Sequence, residues 1–247
     1  MDLQQFVQTV YLACSRIREA LDREPFETLT AAHNIGHGGD VSIGADMLSE
    51  AILVEMLSPY GRILSEESGW IGEGDDVVII DPIDGSDNFK SRFPYYGISI
   101  ALMREEQTLC GVVCNLSNGD FIYRCDDAAY KRSLLNKSIH QLLTCNNSSK
   151  IGLFEKAPNH PEIVAQLTAK KMKFRAPGAV ALSLSYAHFA EYVLFLGTMR
   201  NYDIAAGLHI CSDLYTYCND TILIVSKDKA VFTQLCRMFD IDTKEMH

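Results

Sequence analysis

Apolar residues at Leu3, Phe6, Val7, Val10, Cys14, Ile17 and Leu21 recur at helical spacing, which predicts an amphipathic helix over 2–21. A second helix is expected from Ile43, Met47, Leu48, Ile52, Leu53 and Leu57. Ser42 is its candidate N-cap, Asp46 lies on its first turn, and Tyr60-Gly61 ends it. Between the two helices, His33 to Asp40 carries three Gly, which suits either a lid or a plain connector. Strands then dominate: 62–65, 77–81, 96–103, 107–116 and 121–124. Asn118-Gly119 is a strong hairpin signal between the last two. The first half therefore reads as two helices laid on a largely antiparallel sheet. A turn-rich stretch, 144–149, divides it from a second half in which helix and strand alternate. Strands are expected at 151–154, 173–175, 191–196 and 221–225, and helices at 160–169, 178–189, 203–216 and 228–239. Such alternation predicts a second α/β layer.

The chain has 247 residues, of which 47% are apolar and 22% charged, values ordinary for a soluble globular protein. A net charge of −10 argues against nucleic-acid and membrane partners. The eight Cys form no Cys-x-x-Cys and no Cys/His cluster with zinc spacing, so reduced thiols in a cytoplasmic protein are expected. No secretory signal is visible, and no apolar run approaches the ~20 residues of a membrane span.

The chemistry concentrates in Val77-Val78-Ile79-Ile80-Asp81-Pro82-Ile83-Asp84-Gly85-Ser86-Asp87-Asn88-Phe89. A buried strand runs into Asp81, and Pro82, which lacks a ladder N–H, should end it there. Asp84-Gly85-Ser86 supplies turn chemistry immediately afterwards. The two carboxylates can face one point, either towards a hard cation or simply towards water. Glu66 and Glu67 follow a second strand, and Asp203 stands at a helix start followed by small residues. Acids converging at a dry strand end suggest a hard metal with oxygen ligands.

Together, Ser65-Glu66-Glu67-Ser68-Gly69, Asp81-Pro82-Ile83-Asp84-Gly85-Ser86-x-Asn88-Phe89 and Asp203-x-Ala205-Ala206-Gly207 resemble the inositol monophosphatase superfamily. That superfamily includes fructose-1,6-bisphosphatases and 3′-phosphoadenosine 5′-phosphate phosphatases. The resemblance covers roughly 35–210, with Asp40 to Asp46 upstream and Arg175 with Gly178 in the expected order. Some segments look most like the archaeal-type enzymes that act on both fructose bisphosphate and inositol phosphate. These include Arg200-x-x-Asp203-Ile204-Ala205-Ala206-Gly207.

The resemblance implies an α/β fold, an α-β-α-β-α five-layer sandwich of the sugar phosphatase type. It implies one domain over 1–247, with an α+β metal-site half at 1–145 and an α/β half at 146–247. It implies two or three Mg²⁺ ions, with Mn²⁺ as a possible substitute. Glu66, Asp81 and the Ile83 carbonyl would hold the first, and Asp81, Asp84 and Asp203 the second. The implied reaction is hydrolysis of a small phosphate monoester, a sugar or cyclitol phosphate such as fructose-1,6-bisphosphate or inositol-1-phosphate, by metal-activated water. Ser86 and Asp46 match the family's water-orienting pair, with Ser in place of the usual Thr, and Glu66 would share base duty. Asp84, Gly85, Ser86, Arg175, Gly178 and Arg200 would contact the substrate. A homodimer and sensitivity to lithium are further implications.

Three departures from the pattern bear on the substrate. Phe195 stands where inositol monophosphatases carry a Glu that contacts inositol hydroxyls. His33 and His37 occupy a loop where many members carry a Lys. The segment after Gly207 is too short for the family's Gly-Gly turn and hairpin. Alternatives are a phosphatase of 3′-phosphoadenosine 5′-phosphate and a non-catalytic phosphometabolite sensor.

Overall fold

The computed structural model describes residues 2–136, 140–146 and 148–242; Asn147, in the turn-rich stretch, lies outside them. In chain order the elements begin with α1 (Leu3–Arg23), α2 (Phe26–Thr30), β1 (Ala32–Ile35), β2 (Val41–Ile43) and α3 (Gly44–Leu57). Then come β3 (Arg62–Ser65), β4 (Gly69–Ile71), β5 (Val77–Asp84), α4 (Ser86–Lys90), β6 (Gly97–Arg104), β7 (Gln107–Asn115), β8 (Asp120–Arg124), β9 (Ala129–Ser133) and β10 (Gln141–Leu142). The second half holds β11 (Ile151–Glu155), α5 (Pro161–Ala169), β12 (Lys173–Arg175), α6 (Val180–Ser185), β13 (Val193–Leu196), α7 (Asn201–Ile210), β14 (Tyr215–Cys218), β15 (Ile222–Ser226) and α8 (Lys229–Arg237).

Five layers result. α1 and α3 cover one face of an eight-stranded sheet ordered β10-β9-β8-β7-β6-β5-β3-β4. Every neighbouring pair in it is antiparallel except β3 with β5. α6 and α7 cover the other face through Ala181, Leu182, Ala206 and Ile210. The same two helices present Leu184 and Ile204 to a five-stranded sheet ordered β12-β11-β13-β15-β14. α5 and α8 close its far side with Ile163, Leu167, Phe232 and Leu235. Outer helices are amphipathic because one face meets water: α1 buries Phe6, Val10, Cys14 and Ile17. Between the sheets, α6 is buried along its whole length and reads Val-Ala-Leu-Ser-Leu-Ser without a polar stripe. The expected α-β-α-β-α sandwich is the fold observed.

Several local expectations need correction. The strand at 77 does not end at Asp81 but runs through Pro82 to Asp84. Its pairing with β6 passes from Asp81↔Ser99 to Asp84↔Gly97, one extra residue on β5. Pro82 sits in this bulge, where its missing N–H breaks no ladder bond. Strict alternation would send residues three apart to opposite faces; the extra residue restores a common side for Asp81 and Asp84. The stretch 33–40 is neither a free lid nor a plain connector. β1 and β2 pair as a hairpin whose tip is clasped by His37 N–H to the Glu67 carbonyl (2.8 Å) and Gly38 N–H to the Glu66 carbonyl (2.7 Å). Ser42 is not the N-cap: its hydroxyl donates to Glu67, and the α3 cap position falls to Ile43, whose N–H donates to Asp46 Oδ2 at 2.7 Å.

The helix expected at 203–216 stops at Ile210, and the helix at 178–189 shortens to Val180–Ser185. After Ile210 the chain turns into β14, which pairs antiparallel with β15. The short C-terminal segment thus still makes a hairpin, closed by Asn219, whose Oδ1 accepts the N–H groups of Thr221 and Ile222. Among the described residues no helix is long and apolar enough to cross a membrane. All eight cysteines are free thiols.

The contact between α7 and the first sheet needs a glycine. A Cβ on Gly111 of β7 would meet the Ala206 carbonyl oxygen at 2.5 Å. Gly111→Ala is therefore expected to push α7 off the sheet and cost about 1–3 kcal/mol of stability. Because α7 also carries Asp203, kcat should fall with it. Urea unfolding read beside phosphate release checks this; wild-type stability in the variant would refute the packing account.

Candidate active site

β3 and β5 are parallel neighbours, so their carboxyl ends open on one edge of the sheet. Ser65 pairs with Ile80. That register brings Glu66, the next residue, beside Asp81. α7 adds Asp203 from the layer below, and α3 adds Asp46 from the layer above. One carboxylate oxygen from each of Glu66, Asp81 and Asp203 lies within 4.8 Å of the others. Asp84 follows on the same strand end, and its Oδ2 accepts the Leu182 N–H at 2.9 Å. All five acids are buried, from 1% exposure at Asp46 to 9% at Glu66.

Ser86 Oγ lies 2.9 Å from Asp46 Oδ1 and 3.0 Å from the Ile83 carbonyl oxygen. Between Asp84 and Ser86, Gly85 adopts φ +91°, a left-handed conformation that favours glycine. Asn88 closes the turn by donating to the Tyr95 and Pro177 carbonyls, both at 2.7 Å. The five acids, Ile83, Gly85 and Ser86, with Gly178 and Arg200, line a cavity of about 550 Å³.

Two expected substrate residues behave differently from the rest. Arg175 is not brought to the cavity. It ends the edge strand β12, is exposed, and donates to the Phe174 carbonyl. Arg200 does reach the cavity, but its guanidinium is engaged by Asp203 (2.8 Å), Asp40 (3.0 Å) and Glu66 (3.0 Å). His33 and His37 are exposed and do not line the cavity.

The far wall holds residues that sequence reasoning passed over. Glu155, at the end of β11, is 1% exposed and accepts from Gly178 N–H (2.9 Å), Ala179 N–H and Ser183 Oγ. Lys156 follows it. The signal was available: Ile151 to Phe154 is an apolar run ending in an acid, as 77–81 is.

Burial dominates the electrostatics. It pushes Asp46 up to about 7, against hydrogen bonds from Ile43 and Ser86 that favour the charged form. Burial also carries Glu66 up to about 7, opposed by Arg200 and reinforced by Asp203. Asp81 and Asp84 stand well above the usual carboxylate range, through burial first and neighbouring acids second. Among the described residues, Asp81 Oδ1 is buried with no hydrogen-bond partner. Buried carboxylates this close are costly without a counter-charge, and an all-oxygen set with an orphaned Oδ1 fits a hard divalent cation.

A profile described as the inositol monophosphatase family matches residues 2–214. The chain belongs to the inositol monophosphatase family. It is a phosphatase, a hydrolase. A fructose-1,6-bisphosphatase/inositol-1-monophosphatase of Archaeoglobus fulgidus is 26% identical over 206 residues, covering 78% of this chain and 76% of that protein. A fructose-1,6-bisphosphatase of Pyrococcus furiosus is 28% identical over 185 residues, covering 72% and 70%. The fold matches an IMPase of Thermotoga maritima with a TM-score of 0.77 at 19% identity, over 97% of each chain.

The raised acids make the phosphatase's stability depend on pH in a definite direction. A carboxyl whose folded pKa lies above its unfolded value of roughly 4 stabilises the fold at low pH. That contribution is lost as pH rises through about 7, where Asp46 and Glu66 ionise in the folded state. In chelator, Tm should therefore fall between pH 5 and 8. Mg²⁺ should raise Tm more at pH 7.5 than at pH 5. A flat or rising profile in chelator would contradict the burial account.

Proposed function

We propose that the phosphatase hydrolyses small sugar or cyclitol phosphate monoesters with Mg²⁺, using water as the nucleophile. The observation that carries this reading is the convergence of Glu66, Asp81 and Asp203 within 4.8 Å, beside the Ser86–Asp46 pair. Glu66, Asp81 and Asp203, with Asp84 and the Ile83 carbonyl, would hold the cation. A bound divalent cation supplies positive charge to the phosphate oxygens and acidifies water.

The protein's own groups do the positioning. Asp46, 2.9 Å from Ser86 Oγ, orients that hydroxyl towards the water. An Asp46 carboxyl raised to about 7 is suited to exchanging a proton near neutral pH. Gly85 leaves room for the phosphate against the turn. The Leu182 N–H fixes one oxygen of Asp84, so the other is aimed by default. Arg200 spreads one positive charge over Asp40, Glu66 and Asp203, easing their approach before substrate arrives.

Both halves of the chain line the cavity, which supports reading 1–247 as one catalytic domain. The relatives named above support fructose-1,6-bisphosphate and inositol-1-phosphate as first substrates to assay. A 3′-phosphoadenosine 5′-phosphate reading needs a free aromatic face for the base. Phe195 is the aromatic residue among the described cavity residues, and it is 1% exposed. The non-catalytic sensor is set aside with the enzyme assignment.

Asp84→Asn is expected to lower kcat by at least about 10²-fold, the scale of removing one group that stabilises transition-state charge. Its far-ultraviolet circular dichroism should match the wild type. Chelation should abolish turnover, and Mg²⁺ should restore it. Undiminished phosphate release by the variant, or by the chelated enzyme, would sink the proposal. Assaying the three candidate esters at equal concentration ranks the substrates.

A further inference from the structure

The cavity has two chemically different ends. At one end stand the buried carboxylates of β5 and α7 and of Glu66, just past β3. At the other, Lys156, Pro158, Ala176 and Phe195 form the wall. Among the described residues, three cationic side chains line the cavity: Lys90, Lys156 and Arg200. Lys90 pairs at the surface with the exposed Asp87, at 2.6 Å, and its charge acts on Asp46 at the acidic end. Arg200 is committed to three acids. Among the described residues Lys156 forms no close ion pair; it favours the charged form of the neighbouring Glu155 only from a distance, since that carboxylate is held by other donors. Glu155 turns inward to Gly178, Ala179 and Ser183.

The fold places this ammonium deliberately over the cavity. β11 and β13 are parallel, and Glu155 pairs with Phe195. Lys156 is the first residue past the strand end and turns there with φ 59°. Its Nζ rests 5.2 Å from the centroid of the Phe195 ring. A cation within about 6 Å of a ring face is held by the ring quadrupole, which limits the wandering of a flexible lysine stem. Lys156 itself is exposed, so the ammonium remains available to a ligand in the cavity.

We propose that Lys156 is a specificity residue that binds a second anionic group, phosphate or carboxylate, at the end of the substrate remote from the ester that is hydrolysed. This inference rests on the phosphatase reading of the same site. The physical reason is the field of the cavity. Its wall is rich in carboxylates, so an anion far from the catalytic cation is repelled unless a local positive charge meets it. Lys156 supplies that charge where the other cations are already paired. A substrate with a neutral remote end gains nothing from it.

The test compares KM and kcat for two matched pairs in Mg²⁺: fructose-1,6-bisphosphate with fructose-1-phosphate, and 6-phosphogluconate with glucitol-6-phosphate. In K156M, KM should rise at least tenfold more for the doubly anionic member of a pair than for its partner. The effect should appear in KM rather than kcat, and K156R should recover most of it. F195L, which removes the ring and keeps an apolar side chain, should fall between wild type and K156M. A response confined to the first pair assigns the subsite to phosphate, and one confined to the second assigns it to carboxylate. A uniform KM change across all four esters, or none, overturns the role of Lys156. If the wild type hydrolyses none of the four, the phosphatase reading of the site fails instead.

Discussion

Five carboxylates buried at one end of a cavity that Glu155 also lines impose the constraint on which the rest of this structure depends. Asp46, Glu66, Asp81, Asp84 and Asp203 arrive from three layers of the sandwich, and each is at least nine-tenths removed from water. Left alone they repel one another, and burial pushes Asp46, Glu66, Asp81 and Asp84 above the usual carboxylate range. The protein balances them in part with one guanidinium, Arg200, which touches two of the five and Asp40. A hard cation fits the remaining need, because Asp81 keeps an oxygen that no donor among the described residues satisfies. The site is thus a region of stored electrostatic cost that ligand binding relieves.

Holding the acids in place falls to backbone devices. The extra residue at Pro82 turns Asp81 and Asp84 to a common side of β5. The parallel register of β3 with β5 sets Glu66 beside Asp81. Gly111 lets α7 lie against the sheet closely enough for Asp203 to join them. The hairpin β1–β2 is tied to the carbonyls of Glu66 and Glu67 rather than hanging free. The precision of the centre therefore comes from ladder register and close backbone contact, with little reliance on long side chains.

The far wall of the cavity obeys different rules. β11 and β13 end there in Glu155 and Phe195, the first satisfied internally and the second covered. What faces the ligand is a lysine ammonium held over an aromatic ring. In the proposed reading, hydrolysis belongs to the acidic end and the choice among phosphate esters to the opposite wall. A single family chemistry can accordingly serve different substrates by changing residues that never touch the reacting phosphorus.

The chain's periodicity by itself determined the layers. Helical spacing in 2–21 and 43–57, apolar strands after them and alternation beyond 151 were enough to predict a sheet under two helices and a second α/β layer. The Asp81 to Phe89 motif, with Glu66 and Asp203, carried the chemistry and the family. Those features are local, written in neighbouring residues. Tertiary structure decided what depends on contacts between distant segments. It set Arg200 among three acids and left Arg175 on an edge strand. It carried β5 through Pro82, because a bulge opposite β6 removes the need for that N–H, which no window around Pro82 reveals. It also put Lys156 on the cavity wall beside Phe195, through the pairing of β11 with β13, two strands that lie about 40 residues apart in the chain. Pairing register and packing distance are properties of segments that meet only in the folded state, and the second half of this site is built from them.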